Sequence, residues 1–282
     1  MNQDEKKICL ITGATSGIGK EAALALAKEG MHIVFTTRNE ARGQEVMDEL
    51  IRLSGNRNIE SLFCDLGSFR SVCDFTSLVK SRFEKIDVLI NNAGIWTSKK
   101  QLSADGIELQ FAVNHLAPFL LTYHLSDRLR NAPRSRIINT SSGIHYRGKI
   151  DFSDPEFKNK SYISINAYTQ SKVANILFTK ALARRFNGTN ITANALAPGW
   201  VNTGLFREGN LFVKTAARWM AIKPEQGAQT IIYLAISKEV ENITGEYFQN
   251  KKIRRSAKVT YNAELAERLW SMSEEYVKDY YL

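Results

Sequence analysis

The 282-residue chain predicts an α/β fold, a doubly wound parallel sheet of about seven strands with helices on both faces, in a single domain. Three observations predict it. Short apolar runs without polar alternation recur along the chain, as strands buried on both faces require. Each is followed, after a short connection, by a stretch of helix-forming residues. The first run ends in a glycine-rich turn that opens a helix. No Pro/Gly/Ser-rich linker, low-complexity tract or repeat marks a domain boundary.

Ile8 to Ile11 is the first buried strand, and it ends at Thr12-Gly13-Ala14-Thr15-Ser16-Gly17-Ile18-Gly19 before a helix from Lys20 to Glu29. Glycines let the backbone turn sharply and approach a pyrophosphate, while the free N–H groups of a helix start supply donors and a positive dipole end. The spacing Gly13, Gly17, Gly19 differs from the usual Gly-x-Gly-x-x-Gly, and a plain tight turn is the alternative. His32 to Thr37 is the second strand and Glu40 to Leu53 its helix. Where a dinucleotide fold places a carboxylate for a free ribose hydroxyl, this chain has Thr37 and then Arg38, with Arg42 one turn on. A guanidinium suits a 2′-phosphate, so NADP(H) is expected in preference to NAD(H), against the alternative of an ordinary exposed arginine.

Ile59 to Cys64 is strand three, ending at Asp65-Leu66, with a helix from about Ser68, its candidate N-cap, to Phe83. Ile86 to Ile90 is strand four and runs into Asn91-Asn92-Ala93-Gly94, small enough to pass beneath a flat cofactor or simply a turn. A long helix from about Asp105 to Leu129 carries Asn114 among Phe111, Val113 and Leu116, where its amide needs a partner, structural or catalytic. Arg136 to Thr140 is strand five, ending at Ser141-Ser142-Gly143 on the same rim as the glycine turn; Asn190 to Leu196 is strand six, ending at Pro198-Gly199.

Between them lies Tyr168-Thr169-Gln170-Ser171-Lys172. On a helix, residues four apart share a face, so Lys172 sits beside the Tyr168 phenol and is expected to lower its pKa. The same spacing recurs at Tyr247 and Lys251, but Gly245 to Phe248 reads as a last short strand, where that spacing stacks nothing. Tyr168 is the copy that matters.

The net charge of +9 comes from scattered Lys and Arg, with only short local groups such as Lys251-Lys252 and Arg254-Arg255, which argues against a nucleic-acid partner. Three cysteines without metal or redox spacing, and four histidines without ligand spacing, predict neither disulfides nor a metal. A polar start, Met1 to Lys7, without a signal peptide's hydrophobic region, and the lack of a long apolar run predict a soluble, cytoplasmic protein without a transmembrane segment.

Taken in order, Thr12-Gly13, Gly17 and Gly19, Asn91 to Gly94, Asn114, Ser142, Tyr168 with Lys172, and Pro198-Gly199 with Thr203 resemble the short-chain dehydrogenase/reductase family. The likeness covers essentially the whole chain. Thr37 to Asn39, Ser141-Ser142 with Gly148 to Ile150, Ser171 to Asn175 and Ala266 to Trp270 are similar to the retinol dehydrogenase-like and WW-domain-oxidoreductase-like branch, although membrane-bound relatives begin with an apolar anchor and this chain begins at the first strand. The resemblance implies a Rossmann-type fold in which Tyr168 exchanges the proton at the substrate oxygen and Ser142 polarises the carbonyl. Lys172 would tune Tyr168 and hold the nicotinamide ribose, and Asn114 would anchor a water leading from Lys172. It places the cofactor along Gly13, Thr15, Ser16, Gly17, Ile18, Gly19, Arg38, Asp65, Leu66, Asn92, Ala93, Gly94, Tyr168, Lys172, Pro198, Gly199, Val201 and Thr203. A homodimer or homotetramer is common in such a family.

The substrate is expected to be a lipophilic carbonyl or alcohol, contacted by Ser142, Trp96, Tyr146 and Trp200, with His145 also on the wall. The segment 204–223, rich in Leu, Phe and Trp interspersed with Arg and Lys, is a candidate lid, with plain packing or contact with an anionic membrane as alternatives. Two other functions remain open at this level: an NADP(H) sensor without turnover, and an acyl-carrier-linked 3-oxoacyl reductase whose basic surface meets an acidic carrier.

Overall fold

The computed structural model describes residues 6–199 and 223–281. Among them eight strands form one sheet in the order β3-β2-β1-β4-β5-β6-β7-β8. These are β1 (Ile8–Ile11), β2 (His32–Thr37), β3 (Ile59–Phe63), β4 (Val88–Asn91), β5 (Ser135–Thr140), β6 (Ile191–Ala197), β7 (Tyr247–Gln249) and β8 (Lys252–Ile253). The first seven run parallel, as the apolar runs predict. The eighth corrects the expectation of about seven: it turns back antiparallel on β7 through Asn250 and Lys251, both left-handed at φ 52° and 61°.

Successive strand residues feed opposite cores, which is why the runs do not alternate with polar residues. Leu10, Leu89 and Ile137 face one core; Cys9, Ile11, Val88, Ile90 and Ile138 face the other. The first core lies under α3 (Phe69–Arg82), α5 (Ala117–His124), α7 (Ser164–Arg185) and α9 (Ala263–Val277); the second lies under α1 (Gly17–Lys28), α2 (Glu40–Ser54) and α8 (Pro224–Ile236). Cys9, Cys64 and Cys73 are buried and unbonded to one another.

From β1 the chain moves outward through β2 and β3, then crosses back to place β4 on the other side of β1. That reversal opens a crevice at the carboxyl ends of β1 and β4, where open α/β sheets bind ligands. Local chemistry sets the approach to it. Asn39 caps α2 by accepting from Arg42 N at 2.9 Å, and Ser68 caps α3 by accepting from Ser71 N, as expected from its position.

The single helix expected from Asp105 to Leu129 is divided. A short α4 (Leu109–Phe111) passes into one π-helical stretch, Ala112–Leu116, before α5 and then α6 (Ser126–Asn131). The Ala117 N–H bonds back five residues to Ala112 O. Pro118 supplies the reason: without an N–H it cannot serve the carbonyl of Asn114 four residues earlier, so the α-ladder is interrupted there. Asn114, in the middle of the wide turn, is fully buried. Tyr247 lies on β7 and Lys251 in the following turn, so the second Tyr-Lys spacing forms no helical pair.

Candidate active site

The glycine loop is built by removing side chains. Gly13 and Gly17 take positive φ of 72° and 56°. A Cβ on Gly13 would lie 2.8 Å from Ala93 Cα, and one on Gly19 would lie 2.2 Å from Gly13 O and 2.5 Å from Asn92 Nδ2. Backbone therefore packs on backbone from β1 to β4, with no room for a methyl group. α1 starts at Gly17, three residues before the expected Lys20, so Gly17, Ile18 and Gly19 form its first turn. Ser16 makes no side-chain cap and the turn holds no acidic residue, which leaves its N–H donors and dipole end to an anion.

The Asn91 to Gly94 segment locks onto this loop. Thr12 Oγ1 accepts from Asn92 N at 3.1 Å and from Ala93 N at 3.0 Å, and Asn92 Nδ2 donates to Thr12 O and Gly13 O at 3.0 and 3.2 Å. The Asn92 amide, expected along the cofactor, spends its donors bracing the loop. A Cβ at Gly94 would meet Lys172 Nζ at 3.1 Å and Asn114 Oδ1 at 3.5 Å. This one glycine joins the loop side of the rim to the Tyr168 helix.

Tyr168 and Lys172 share the buried face of α7, 5% and 2% exposed. Lys172 Nζ donates to Thr140 O at 3.3 Å and lies 5.5 Å from the centre of the Tyr168 ring. Asn114 Oδ1 accepts from Ile95 N at 2.7 Å, and its Nδ2 donates to Ile95 O and Ser171 Oγ, both at 3.0 Å. Ser171 Oγ in turn donates to Tyr168 O at 2.8 Å, and Ser141 Oγ to Lys172 O at 2.7 Å. Ser142 lies two residues beyond β5, half-buried, with its hydroxyl beside the Tyr168 phenol. The structure therefore brings Asn114, Ser142, and Tyr168 with Lys172 together from three separate elements.

The electrostatics differ from the pairwise expectation. Burial pushes the Tyr168 phenol up, with the Ser142 hydroxyl pulling the other way, and burial lowers Lys172 to about 8. Both groups are driven toward neutrality. The ammonium stands over the ring and not at the phenol oxygen, so desolvation outweighs the lowering that helical spacing suggests.

Around this centre, Arg38 is exposed at the end of β2 and makes no hydrogen bond or ion pair among the described residues; Arg42 reaches back to Thr15 O at 3.5 Å. Asp65 and Leu66 leave β3 at the same rim, Asp65 Oδ1 accepting from Gly67 N at 2.9 Å. Trp96 is half-buried just beyond Gly94, and Pro198 and Gly199 follow β6, Gly199 at φ 87°. Tyr146 is exposed, but its hydroxyl is committed to Arg255 O at 2.7 Å. His145 is fully buried. Trp200, Val201, Thr203 and the candidate lid up to residue 222 lie outside the described residues. Sequence reasoning quoted Thr12, Ser141 and Ser171 within its motifs but gave none of these hydroxyls a role, because the bonds they make join separate elements.

Residues 7–212 match the family model described as short chain dehydrogenase. The chain belongs to that family. Human retinol dehydrogenase 13 is 39% identical over 96% of this chain and 84% of its own length, and human polyprenol dehydrogenase is 35% identical over 95% and 84%. A solved uncharacterised protein from Mycobacterium Paratuberculosis superposes with a TM-score of 0.79 at 29% identity, covering 96% of this chain and 93% of that one. Short-chain dehydrogenases are oxidoreductases at carbonyl and alcohol groups that use a nicotinamide dinucleotide. The residues here fit such a cofactor: the loop has no room for a Cβ at Gly13 or Gly19, the start of α1 offers free donors, and Gly94 opens the floor between the loop and Lys172. Among the described residues no helix is long and apolar enough to cross a membrane.

Proposed function

We propose that this short-chain dehydrogenase is an NADP(H)-dependent enzyme interconverting a carbonyl and an alcohol on a lipophilic small molecule. The observation that carries the proposal is the convergence of Ser142, Tyr168 and Lys172 on the rim that the glycine loop also reaches through Gly94. The preference for NADP(H) is supported by Arg38, free at the end of β2 where no carboxylate stands, and by Arg42 lying against the loop at Thr15. The lipophilic substrate is supported by relatives named for retinol and polyprenol, both lipid alcohols.

A nicotinamide dinucleotide held along the glycine loop and at Lys172 would supply or accept the hydride. Tyr168 holds the proton for the substrate oxygen, giving it up in reduction and taking it in oxidation. Its raised pKa keeps the phenol protonated at neutral pH, the form that donates to a developing alkoxide. Ser142, its hydroxyl beside the Tyr168 phenol, orients the same oxygen from the β5 side. Lys172, near 8, exchanges a proton readily at neutral pH and can restore the one Tyr168 gives up. Asn114 fixes Ile95 and Ser171, and through Ser171 the backbone of Tyr168, so the donor stays aimed.

The test is a product-identified screen of lipophilic aldehydes, ketones and alcohols with both cofactors, repeated with Tyr168→Phe. Loss of the proton donor lowers turnover by about 10²–10⁴-fold while cofactor affinity stays nearly constant. Wild-type rates in that variant would remove Tyr168 from the chemistry.

A further inference from the structure

His145 lies three residues beyond Ser142 on the 3₁₀ turn Gly143–Arg147, and both ring nitrogens are engaged. Nδ1 is 2.7 Å from Ser142 O, and Nε2 is 3.1 Å from Ala257 N. A carbonyl only accepts and a backbone N–H only donates, so a single tautomer satisfies both: the proton sits on Nδ1 and is given to Ser142 O, while Nε2 accepts from Ala257. The ring is held between Tyr146 and Tyr247, with centroids 4.1 and 4.8 Å away. Tyr146 repeats the connection by donating to Arg255 O at 2.7 Å.

The far end of this bridge is stiff. Arg254 N donates to Tyr247 O at 2.8 Å, Ser256 N to Tyr261 Oη at 3.2 Å, and Thr260 closes a turn onto Ala257 O at 2.7 Å. By contrast, the Ser142 turn has a weak cap of its own, Ser142 Oγ accepting from Ile144 N at 3.4 Å. Within the turn Ser142 O also accepts from His145 N at 3.1 Å, and His145 Nε2 then carries the turn to Ala257, 112 residues further along the chain.

We propose that His145 is a positioning residue: its neutral Nδ1–H form ties the Ser142 turn to the 254–261 segment and thereby sets where the Ser142 hydroxyl stands beside Tyr168. As a statement about catalysis this rests on the proposed oxidoreductase activity. The bridge itself can be tested without it.

Two substitutions divide the imidazole. His145→Asn keeps an N–H near Nδ1 for Ser142 O and gives up the acceptor for Ala257; His145→Gln keeps an acceptor near Nε2 and gives up the donor to Ser142. In the full-length protein His145→Gln lowers kcat by about tenfold, one hydrogen bond's worth, with the KM for cofactor unchanged. His145→Asn keeps kcat within about threefold, although both variants lose one bond and similar thermal stability. Equal kcat losses in the two would reduce His145 to packing and overturn the proposal. Amide exchange at Ile144 reads the same distinction without turnover: it quickens in His145→Gln and not in His145→Asn. Should no carbonyl be turned over by the wild type, that exchange difference upholds the bridge while the proposed function fails. Equal exchange in both variants, or nitrogen NMR showing the proton on Nε2, overturns it.

Discussion

The glycine loop and the Tyr168 centre face one another across Gly94, yet they are made in opposite ways. Around Gly13 and Gly19 the chain has discarded side chains, and contact is backbone on backbone at distances no methyl group survives. Around Tyr168 and Lys172 it has buried large ionisable side chains, each displaced by desolvation toward its neutral form. The first region is limited by space and the second by charge. Substitutions in the loop should therefore change what binds, and substitutions in the centre should change what reacts and at which pH.

The largest expected break in this division is Gly19→Ala. Its methyl has to displace Gly13 O and Asn92 Nδ2, at a cost of about 1–3 kcal/mol in stability, and the reshaped turn loses cofactor affinity by two orders of magnitude or more. Cofactor titration with parallel melting curves measures both, and wild-type affinity would show that the loop has slack the geometry denies. Next is Lys172→Met, which separates charge from volume. The unfolded lysine has its ordinary pKa near 10.5 and the buried one about 8, so between those values the unfolded chain binds more protons and wild-type stability rises with pH. The deficit of the wild type relative to Lys172→Met is full below about pH 8 and shrinks by about 3 kcal/mol by pH 10.5. Denaturant unfolding at the two pH values checks it, and a constant difference would mean the ammonium is not desolvated. The smallest effect belongs to Arg38→Asp, an exposed position where only phosphate recognition is at stake. The ratio of kcat/KM for NADPH over NADH is expected to fall about tenfold, roughly 1.4 kcal/mol. An unchanged ratio would take cofactor preference away from Arg38.

The same contrast explains what could be read from sequence. Glycine spacing is local, so the loop, its flanking strand and helix, and β2 from His32 to Thr37 emerge directly, as does the Ser68 cap. The convergence of Asn114, Ser142, Tyr168 and Lys172 was legible as motifs on separate elements. Their energetics were not, because a spacing of four reports proximity and says nothing of the burial that lifts Tyr168. Nor did an apolar pattern reveal the π-helical stretch, since Pro118 stops one N–H without disturbing the pattern around it. The bond that joins His145 to Ala257 left no local signal, because the two lie 112 residues apart. β8 escaped notice because two residues, Lys252 and Ile253, are too few to show a period.

That last strand also governs how molecules of this protein can meet. An end strand offers unpaired backbone groups, the template on which a neighbouring chain adds itself and fibres grow. Here it is two residues long, and exposed Lys251, Lys252, Arg254 and Arg255 crowd it without an ion-pair partner among the described residues. Two copies approaching along this edge would bring eight positive charges together before forming a single hydrogen bond. Among the described residues, self-addition along this edge has to work against that repulsion.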